Sequence, residues 1–274
     1  MLNIGWFSTG RDEAARKLLQ VVHREIQRGE IEGNIIFVFS NRETGESEQS
    51  DLFFQLVNNY HIPLLCLSSR KFRAVPNMAT TGESDTATLP EWRLEYDREV
   101  MKRLQSYTPD LCVLAGYMLI VGEEMCHKYN MINLHPARPG GPTGSWQEVI
   151  WQLIESKATE SGVVIHLVTP DLDRGPIVTY CTFPIRGELF DRHWQEINGH
   201  SIEAIKKEQG ENNALFKLIR EHGLAREFPL IVTTLKALSR GKIRIEAGRV
   251  LDQRGITISG YDLSEEINRM VNLK

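Results

Sequence analysis

An amide and an imidazole stand two residues apart at the end of an apolar run near the middle of the chain. Asn133 and His135 belong to the run MINLH, which is followed at once by Pro136. Because residues i and i+2 of a β-strand point to the same face, both side chains would project together from the strand tip. Such a pair can donate hydrogen bonds to an oxygen on which negative charge develops, and it can move a proton. Two structural polar groups near a turn are the alternative interpretation.

A carboxylate that could complete this pair lies in the segment TPDLDRGP, between two β-branched runs. Asp171 and Asp173 precede a Gly-Pro turn, and a role of both in turn formation is the alternative. A carboxylate beside an imidazole stabilises its protonated form and fixes its orientation. We therefore predict that Asp173 is the third member of the group, provided that this loop folds back towards His135. Two loop carboxylates are too few for a metal site, and the histidines show no metal-type spacing, so no metal is expected.

A glycine-containing loop precedes the first predicted helix. The run LNIGWFS predicts a strand and STG a turn, and from Asp12 onward the apolar residues recur at helical spacing. The backbone N–H groups that begin such a helix can bind an anion, which makes Gly10, Arg11 and Asp12 candidates for substrate binding. The alternative is that Asp12 caps the helix itself, because its carboxylate satisfies the same N–H groups.

The alternation of apolar runs with amphipathic stretches predicts an α/β fold with a mainly parallel sheet flanked by helices. Ligands of such sheets bind at the carboxyl ends of the strands. Two β-branched runs within 161–185, joined by the loop 169–176, predict a hairpin-like pair. The polar segment 70–90 predicts a surface loop. Beyond residue 186 the sequence predicts long helices at 188–209 and 213–239, followed by small terminal strands.

The composition is that of an ordinary globular protein. The chain has 274 residues, of which 41% are hydrophobic and 25% charged, with a formal net charge of −4. No basic run indicates a nucleic-acid partner. The N-terminus lacks the features of a signal peptide, and no stretch approaches the about 18 apolar residues of a membrane span, so a cytoplasmic protein without a membrane partner is expected. The four cysteines are widely spaced, which favours reduced thiols.

Four segments taken together resemble the glycinamide ribonucleotide formyltransferase family, whose site is shared by other enzymes that use 10-formyltetrahydrofolate. They are the N-terminal strand and loop, PDLCVLAGYMLI, MINLHPARPGG and GVVIHLVTPDLDRGPIV, in this order. The resemblance implies a Rossmann-like formyltransferase fold with a catalytic domain at 1–186. Residues 187–274 would then be a helical insertion and a small C-terminal β extension, packed on the same domain.

The resemblance also implies roles for individual residues. Asn133, His135 and Asp173 match the catalytic asparagine, histidine and aspartate, whereas His166 is interpreted as a structural neighbour of the folate loop. Positions beside the amine substrate are matched by Gly116 and Pro136, and the phosphate loop by Gly10, Arg11 and Asp12. The folate site is matched by two segments: Met118, Leu119, Ile120 and Val121 at a strand end, and Thr169, Pro170, Asp171 and Leu172 in the loop that closes over the pteridine ring.

The activity implied is formyl transfer from 10-formyltetrahydrofolate to a primary amine, with a phosphoribosylglycinamide formyltransferase of purine biosynthesis as the first expectation. The loop STGRDEA departs from the family pattern S-G-x-G-S-N, because carboxylates stand where a phosphate would bind. A different small amine is therefore an alternative acceptor.

Two further alternatives concern the whole activity. A hydrolase of 10-formyltetrahydrofolate can use the same three residues with water as the nucleophile, and a non-catalytic folate binder would use none of them. The helical segment 187–212 is either an additional solvated pair of helices or a lid or oligomer contact, which leaves a homodimer as one possible assembly.

Overall fold

A computed structural model of the protein describes residues 1–74 and 89–272. Most of the loop predicted at 70–90 therefore lies outside the described residues, although its first residues belong to a short helix, Ser69–Arg73. Within the described ranges, no helix combines the length and the apolar character that crossing a bilayer requires.

The described residues form one large mixed sheet and one small hairpin. The order across the large sheet is β10-β7-β6-β5-β4-β1-β2-β3, and β8 pairs with β9. The strands are β1 (Leu2–Phe7), β2 (Gly33–Ser40), β3 (Leu64–Cys66), β4 (Leu111–Leu114), β5 (Met131–His135), β6 (Glu160–Leu167), β7 (Ile177–Pro184), β8 (Ile243–Glu246), β9 (Arg249–Asp252) and β10 (Tyr261–Asp262).

The helices cover both faces of the large sheet, and an apolar cluster lies on each face. A single turn of 3-10 helix at Gly210–Asn212 separates two of them. The α-helices are α1 (Glu13–Gln27), α2 (Glu48–Asn59), α3 (Ser69–Arg73), α4 (Glu91–Arg103), α5 (Glu123–Lys128), α6 (Trp146–Glu155), α7 (Glu188–Glu196), α8 (Ile202–Glu208), α9 (Ala214–Ser239) and α10 (Ser264–Asn272).

The direction of the strands confirms the predicted α/β class. β1 runs parallel to β2 and β4, β2 to β3, and β4 to β5. β6 is antiparallel to both β5 and β7, which confirms the predicted hairpin-like pair. The short β10 then runs parallel to β7 and forms the edge of the sheet.

Residues of the parallel strands β1, β2 and β4 alternate between two apolar clusters on opposite faces of the sheet. In β1, Ile4 and Trp6 join the cluster beneath α1, α2 and α9, whereas Phe7 joins the cluster beneath α4. All three side chains are fully buried. Because both faces are covered, the strands are continuous apolar runs, as expected for the parallel part of an α/β sheet.

Helix α9 connects the C-terminal third of the chain to the sheet. Its first part packs with α6, α7 and α8 through Phe216, and its second part packs on the sheet through Leu230 and Leu235. The division of the chain at residue 186 stays a prediction.

The structure corrects several predicted elements. The helical pattern at 188–209 is two helices, α7 and α8, and the chain passes between them through Gly199, whose φ of 81° is in the left-handed region. In the last predicted strand, the residues that pair with the large sheet are limited to Tyr261 and Asp262. The short helices α3 and α5 and the C-terminal helix α10 were not predicted, because short helices provide too few residues for a clear apolar period.

The packing of α9 gives a stability prediction. Leu230→Ala should lower the free energy of unfolding by about 2–5 kcal/mol, because it leaves a cavity where α9 meets the sheet. Leu189→Ala, at a leucine that is 66% exposed on α7, should change it by less than about 0.5 kcal/mol. Urea denaturation of the two variants measures both values. Equal effects would contradict this account of the core.

Candidate active site

Asn133 and His135 are brought to the site by the pairing of β5 with its two neighbours. Asn133 lies opposite Leu114, the last residue of β4, so it stands at the carboxyl end of that strand. On its other side Asn133 lies opposite His166 of the antiparallel strand β6. Because residues opposite one another in a sheet share a face, Asn133, His135 and His166 project from the same side.

Asp173 lies against the His135 ring, so the loop 169–176 does fold back over the sheet. The distance from Nδ1 of His135 to Oδ2 of Asp173 is 3.7 Å, and the two side chains are only 7% and 11% exposed. Nε2 of His135 lies 3.0 Å from the carbonyl oxygen of Pro142. Both atoms that face the ring are acceptors. The contact with Pro142 is within hydrogen-bond distance, whereas the contact with Asp173 is an ion pair when the ring is protonated.

His166 is the residue that links Asn133 to this pair. Its Nε2 lies 3.5 Å from Oδ1 of Asp173 and 3.4 Å from Nδ2 of Asn133, while its Nδ1 lies 2.9 Å from the carbonyl oxygen of Leu167. The four side chains therefore form a continuous polar chain from Asn133 through His166 and Asp173 to His135. The sequence interpretation gave His166 no part in this group, since only the register of β5 against β6 places it there.

The electrostatics of Asp173 follow from its two histidine neighbours. The hydrogen bond from His166, together with the positive charge of the two imidazoles, lowers the pKa of the Asp173 carboxyl below its usual range, although partial burial opposes this. The carboxylate is thus kept ionised, which is the state that can orient an imidazole and stabilise its positive charge.

The backbone of the 169–176 loop is shaped to present this carboxylate. Asp173 has a φ of 54°, in the left-handed region that Asp tolerates better than most residues. At Gly175 a Cβ atom would lie 1.8 Å from the carbonyl oxygen of Leu167, so no other residue fits without moving the chain. The loop can return to the sheet only because Gly175 has no side chain.

An apolar cleft opens beside Asn133, His166 and Asp173. Its volume is about 160 Å³. Met118, Ile120 and Leu172 are between 43% and 55% exposed, so large apolar side chains remain uncovered at the cleft. Of the eight residues predicted for the folate site, Pro170 and Asp171 do not line it. The other six do: Met118, Leu119, Ile120, Val121, Thr169 and Leu172.

A second, larger cavity lies on the other side of the same polar chain. It has a volume of about 520 Å³ and is bordered by His135, Arg138, Asp173 and Arg174 together with the glycine-rich loop that follows β5. His166 and Asp173 line both spaces, so these side chains form part of the wall between an apolar cleft and a more polar cavity.

The predicted anion loop at the start of α1 is occupied by the chain's own carboxylate. Oδ1 of Asp12 accepts a hydrogen bond from the N–H of Ala15 at 2.9 Å, and Oδ2 lies 3.3 Å from Nε of Arg11. Asp12 is therefore the N-cap of α1. Its negative charge at this position opposes the binding of a phosphate to the same N–H groups.

The remaining predicted substrate residues lie next to the site. The N–H of Thr9 donates to the carbonyl oxygen of Gly116, and the N–H of Met118 donates to Oγ1 of Thr9, at 3.1 and 3.0 Å. These bonds hold the loop containing Gly10 against the segment that lines the cleft. Pro136 follows directly after β5. Among the described residues, no cluster of three or more His, Cys, Asp or Glu side chains is placed to hold a metal ion.

The chain belongs to the formyl transferase family, whose sequence model matches residues 13–189. Relatives include the phosphoribosylglycinamide formyltransferase of Escherichia coli K12, which is 33% identical over 99 residues, corresponding to 34% of this chain and 44% of that protein. The enzyme of the same name from Dictyostelium discoideum is 30% identical over 129 residues, which are 42% of this chain and 63% of that protein. These alignments thus span less than two thirds of either relative.

Solved structures share the fold over almost the whole chain. The phosphoribosylglycinamide formyltransferase from Coxiella burnetii superposes with a TM-score of 0.63 at 22% identity, covering 95% of this chain and 98% of that one. The formyltetrahydrofolate deformylase from Burkholderia mallei superposes with a TM-score of 0.59 at 15% identity, covering 92% of this chain and 69% of that one. The predicted Rossmann-like formyltransferase fold is thereby confirmed.

The lowered pKa of Asp173 gives a prediction about pH. Asp173→Asn should lower the free energy of unfolding at pH 7 by about 1–3 kcal/mol, because a hydrogen bond to a charged group is lost while the left-handed backbone stays favourable. Because the pKa of Asp173 is lower in the folded state, ionisation of this carboxyl stabilises the protein at pH values above the usual carboxyl pKa of about 3.9. This stabilisation is lost as the pH falls through the lowered pKa. The difference from the unsubstituted protein should therefore shrink as the pH falls below the usual carboxyl pKa and through the lowered value.

Urea denaturation at a series of pH values measures this difference. Asp171→Asn is the matched control, because this aspartate is exposed in the same loop and should have little effect at any pH. A difference for Asp173→Asn that stays constant between pH 7 and pH 2 would show that the charge of the carboxylate does not matter.

Proposed function

We propose that this protein is an enzyme that transfers the formyl group of 10-formyltetrahydrofolate to a primary amine. The observation that carries the proposal is the position of Asn133, His135 and Asp173. All three belong to one polar chain, and that chain borders an apolar cleft formed by the segment 118–121 together with Thr169 and Leu172. The fold alone would not be sufficient, because one fold can serve many functions.

The cleft is suited to the folate donor. Its exposed apolar side chains can pack on both faces of a planar ring, which is the usual composition of a small-molecule site. Within the described part of the chain, the backbone N–H groups of Leu119, Ile120 and Val121 form no hydrogen bond with the protein. They are available to the polar edge of a pterin.

The chemistry follows from the position of the donors. As the amine attacks the formyl carbon, the carbonyl bond becomes a single bond and negative charge develops on the formyl oxygen. The amide of Asn133 and the protonated ring of His135 donate hydrogen bonds to this oxygen. The formyl oxygen competes with the carbonyl of Pro142 for Nε2–H of His135. Asp173 stabilises the imidazolium and takes part in the removal of the amine proton. When the tetrahedral intermediate collapses, the bond between the formyl carbon and N10 breaks, and N10 takes up a proton so that tetrahydrofolate leaves.

Phosphoribosylglycinamide is the first candidate for the acceptor, because the relatives named above are phosphoribosylglycinamide formyltransferases. The carboxylate of Asp12 at the start of α1 makes the usual phosphate position unfavourable, so another small amine is the alternative within the same reaction. Gly10, Arg11, Gly116 and Pro136 remain the proposed contacts of the acceptor. The cytoplasmic location and the homodimer remain predictions from the sequence.

A second candidate function is hydrolysis of 10-formyltetrahydrofolate. The likeness to the fold of the Burkholderia mallei deformylase favours it, and water would replace the amine as the nucleophile. An assay with 10-formyltetrahydrofolate distinguishes the candidates. Consumption that requires an amine supports the transferase, and equal consumption without any amine supports the hydrolase. Absence of consumption with every amine tested would refute both activities.

Replacement of the two donors should abolish most of the activity. Asn133→Ala and His135→Ala should each lower kcat by a factor of about 100 or more, the usual effect of removing one donor to a developing oxyanion. Affinity for folate should change much less, because the pterin contacts are made by other residues. Steady-state kinetics and a folate titration measure both quantities.

His200→Ala is the control, since this histidine is exposed in the connection between α7 and α8. It should retain the activity of the unsubstituted protein. If Asn133→Ala and His135→Ala also retained it while remaining folded, the proposed oxyanion site would be wrong.

A further inference from the structure

A buried ion pair lies on α4, beneath the segment that lines the apolar cleft. Arg93 and Asp97 are one helical turn apart and only 4% and 2% exposed, and Nη2 of Arg93 lies 2.9 Å from Oδ1 of Asp97. Removing two charges from water has a large desolvation cost, which their mutual attraction often does not offset. The pair therefore calls for an explanation other than a contribution to stability.

Both members of the pair also bind the backbone of the irregular segment after β4. Nη2 of Arg93 donates to the carbonyl oxygen of Ile120, and Oδ2 of Asp97 accepts from the N–H of Gly122 at 2.7 Å. The contact at Gly122 is close, since a Cβ atom there would lie 3.0 Å from Oδ2 of Asp97 and 2.9 Å from Cδ2 of Leu94. The ion pair thus fixes the chain at two points, 120 and 122.

The same segment is fixed at its start by a bond from the N–H of Met118 to Oγ1 of Thr9. Between these fixed points lie the N–H groups of Leu119, Ile120 and Val121, which have no partner among the described residues. The segment contains no helix or strand, so its conformation is set by these side-chain bonds. The direction of the free N–H groups depends on Arg93 and Asp97.

We propose that Arg93 and Asp97 are positioning residues for the folate, which hold the free N–H groups of 119–121 in the geometry that binds the pterin. This inference rests on the proposed function. Neither side chain lines the cleft, so both would act through the backbone that they bind.

The incomplete bonding of Arg93 supports this role over a purely structural one. Its Nη1 is buried and has no hydrogen-bond partner within residues 1–74 and 89–272. The guanidinium lies 5.2 Å from the ring centroid of Tyr96 and 5.5 Å from that of Trp92, so aromatic rings replace part of its hydration. A buried arginine with an unused donor is a poor means of stabilising a helix, but its Nη2 binds Asp97 and Ile120 at the same time.

Arg93→Lys separates the two roles. Lysine keeps a positive charge for Asp97, but its side chain is one atom shorter than that of arginine. Its ammonium nitrogen therefore falls short of the position of Nη2, the atom that binds both the carboxylate and the carbonyl oxygen of Ile120. We expect Kd and KM for 10-formyltetrahydrofolate to rise by about tenfold, equivalent to the loss of one good hydrogen bond. KM for the amine should stay within about twofold and kcat within about threefold, because the catalytic side chains are not displaced.

Arg226→Lys is the matched control. Arg226 is 5% exposed and donates to Oδ1 of Asn268 and to the carbonyl oxygen of His222, but it binds no residue of the cleft. Both substitutions remove a buried guanidinium, so both should lower Tm. Only Arg93→Lys should weaken the binding of folate.

Gly122→Ala provides a second variant in case Arg93→Lys does not fold. The added methyl group pushes against the Asp97 carboxylate while both charges are kept, and folate binding should weaken in the same way.

Titration of each protein with 10-formyltetrahydrofolate, followed by tryptophan fluorescence, gives the test. If the unsubstituted protein binds folate and both Arg93→Lys and Gly122→Ala bind it equally well, the positioning role is refuted while the proposed function stands. If Arg226→Lys weakens folate binding as much as Arg93→Lys, the effect is general destabilisation and the role is again refuted. If the unsubstituted protein does not bind folate, the proposed function fails, and this inference fails with it.

Discussion

The shared carboxylate of Asp173 is the interaction on which the candidate site depends. It faces His135 with one oxygen and His166 with the other, so it determines the orientation of both rings. This arrangement requires a loop that turns back over the sheet, which in turn requires Gly175 and the left-handed backbone of Asp173. It also requires β6 to run antiparallel to β5, because only this register brings His166 opposite Asn133. The polar chain is therefore a product of the sheet topology.

The apolar cleft depends on a different part of the chain. Its wall at 118–121 has no regular structure of its own, and it is fixed by Thr9 from one side and by the α4 ion pair from the other. Both the proposed folate site and the proposed oxyanion site are thus formed by short segments attached to rigid elements. The amide of Asn133 lies at their meeting point, which is why one residue can belong to both the polar chain and the cleft.

Much of this could be predicted from the sequence. The spacing of Asn133 and His135 determines that they share a face, and the pairing chemistry of imidazole with carboxylate indicated Asp173. His166 could not be predicted as a partner, because a single sequence does not give the register of an antiparallel pair. Arg93 and Asp97 have the spacing of an ordinary surface pair on a helix, and only the fold shows that this face is buried. For the loop at Asp12 the sequence is compatible with both anion binding and helix capping, and in the structure Asp12 caps the helix.

The two edges of the large sheet bear on self-association. One edge is β3, with three residues, and the other is β10, with two residues followed directly by α10. Unpaired N–H and C=O groups along a long flat edge strand would invite another chain to add to the sheet, and short or covered edges prevent this. The longer strand β7 is protected because β10 and α10 lie beside it. Neither edge of the large sheet therefore offers a long template to which a strand of another molecule could add.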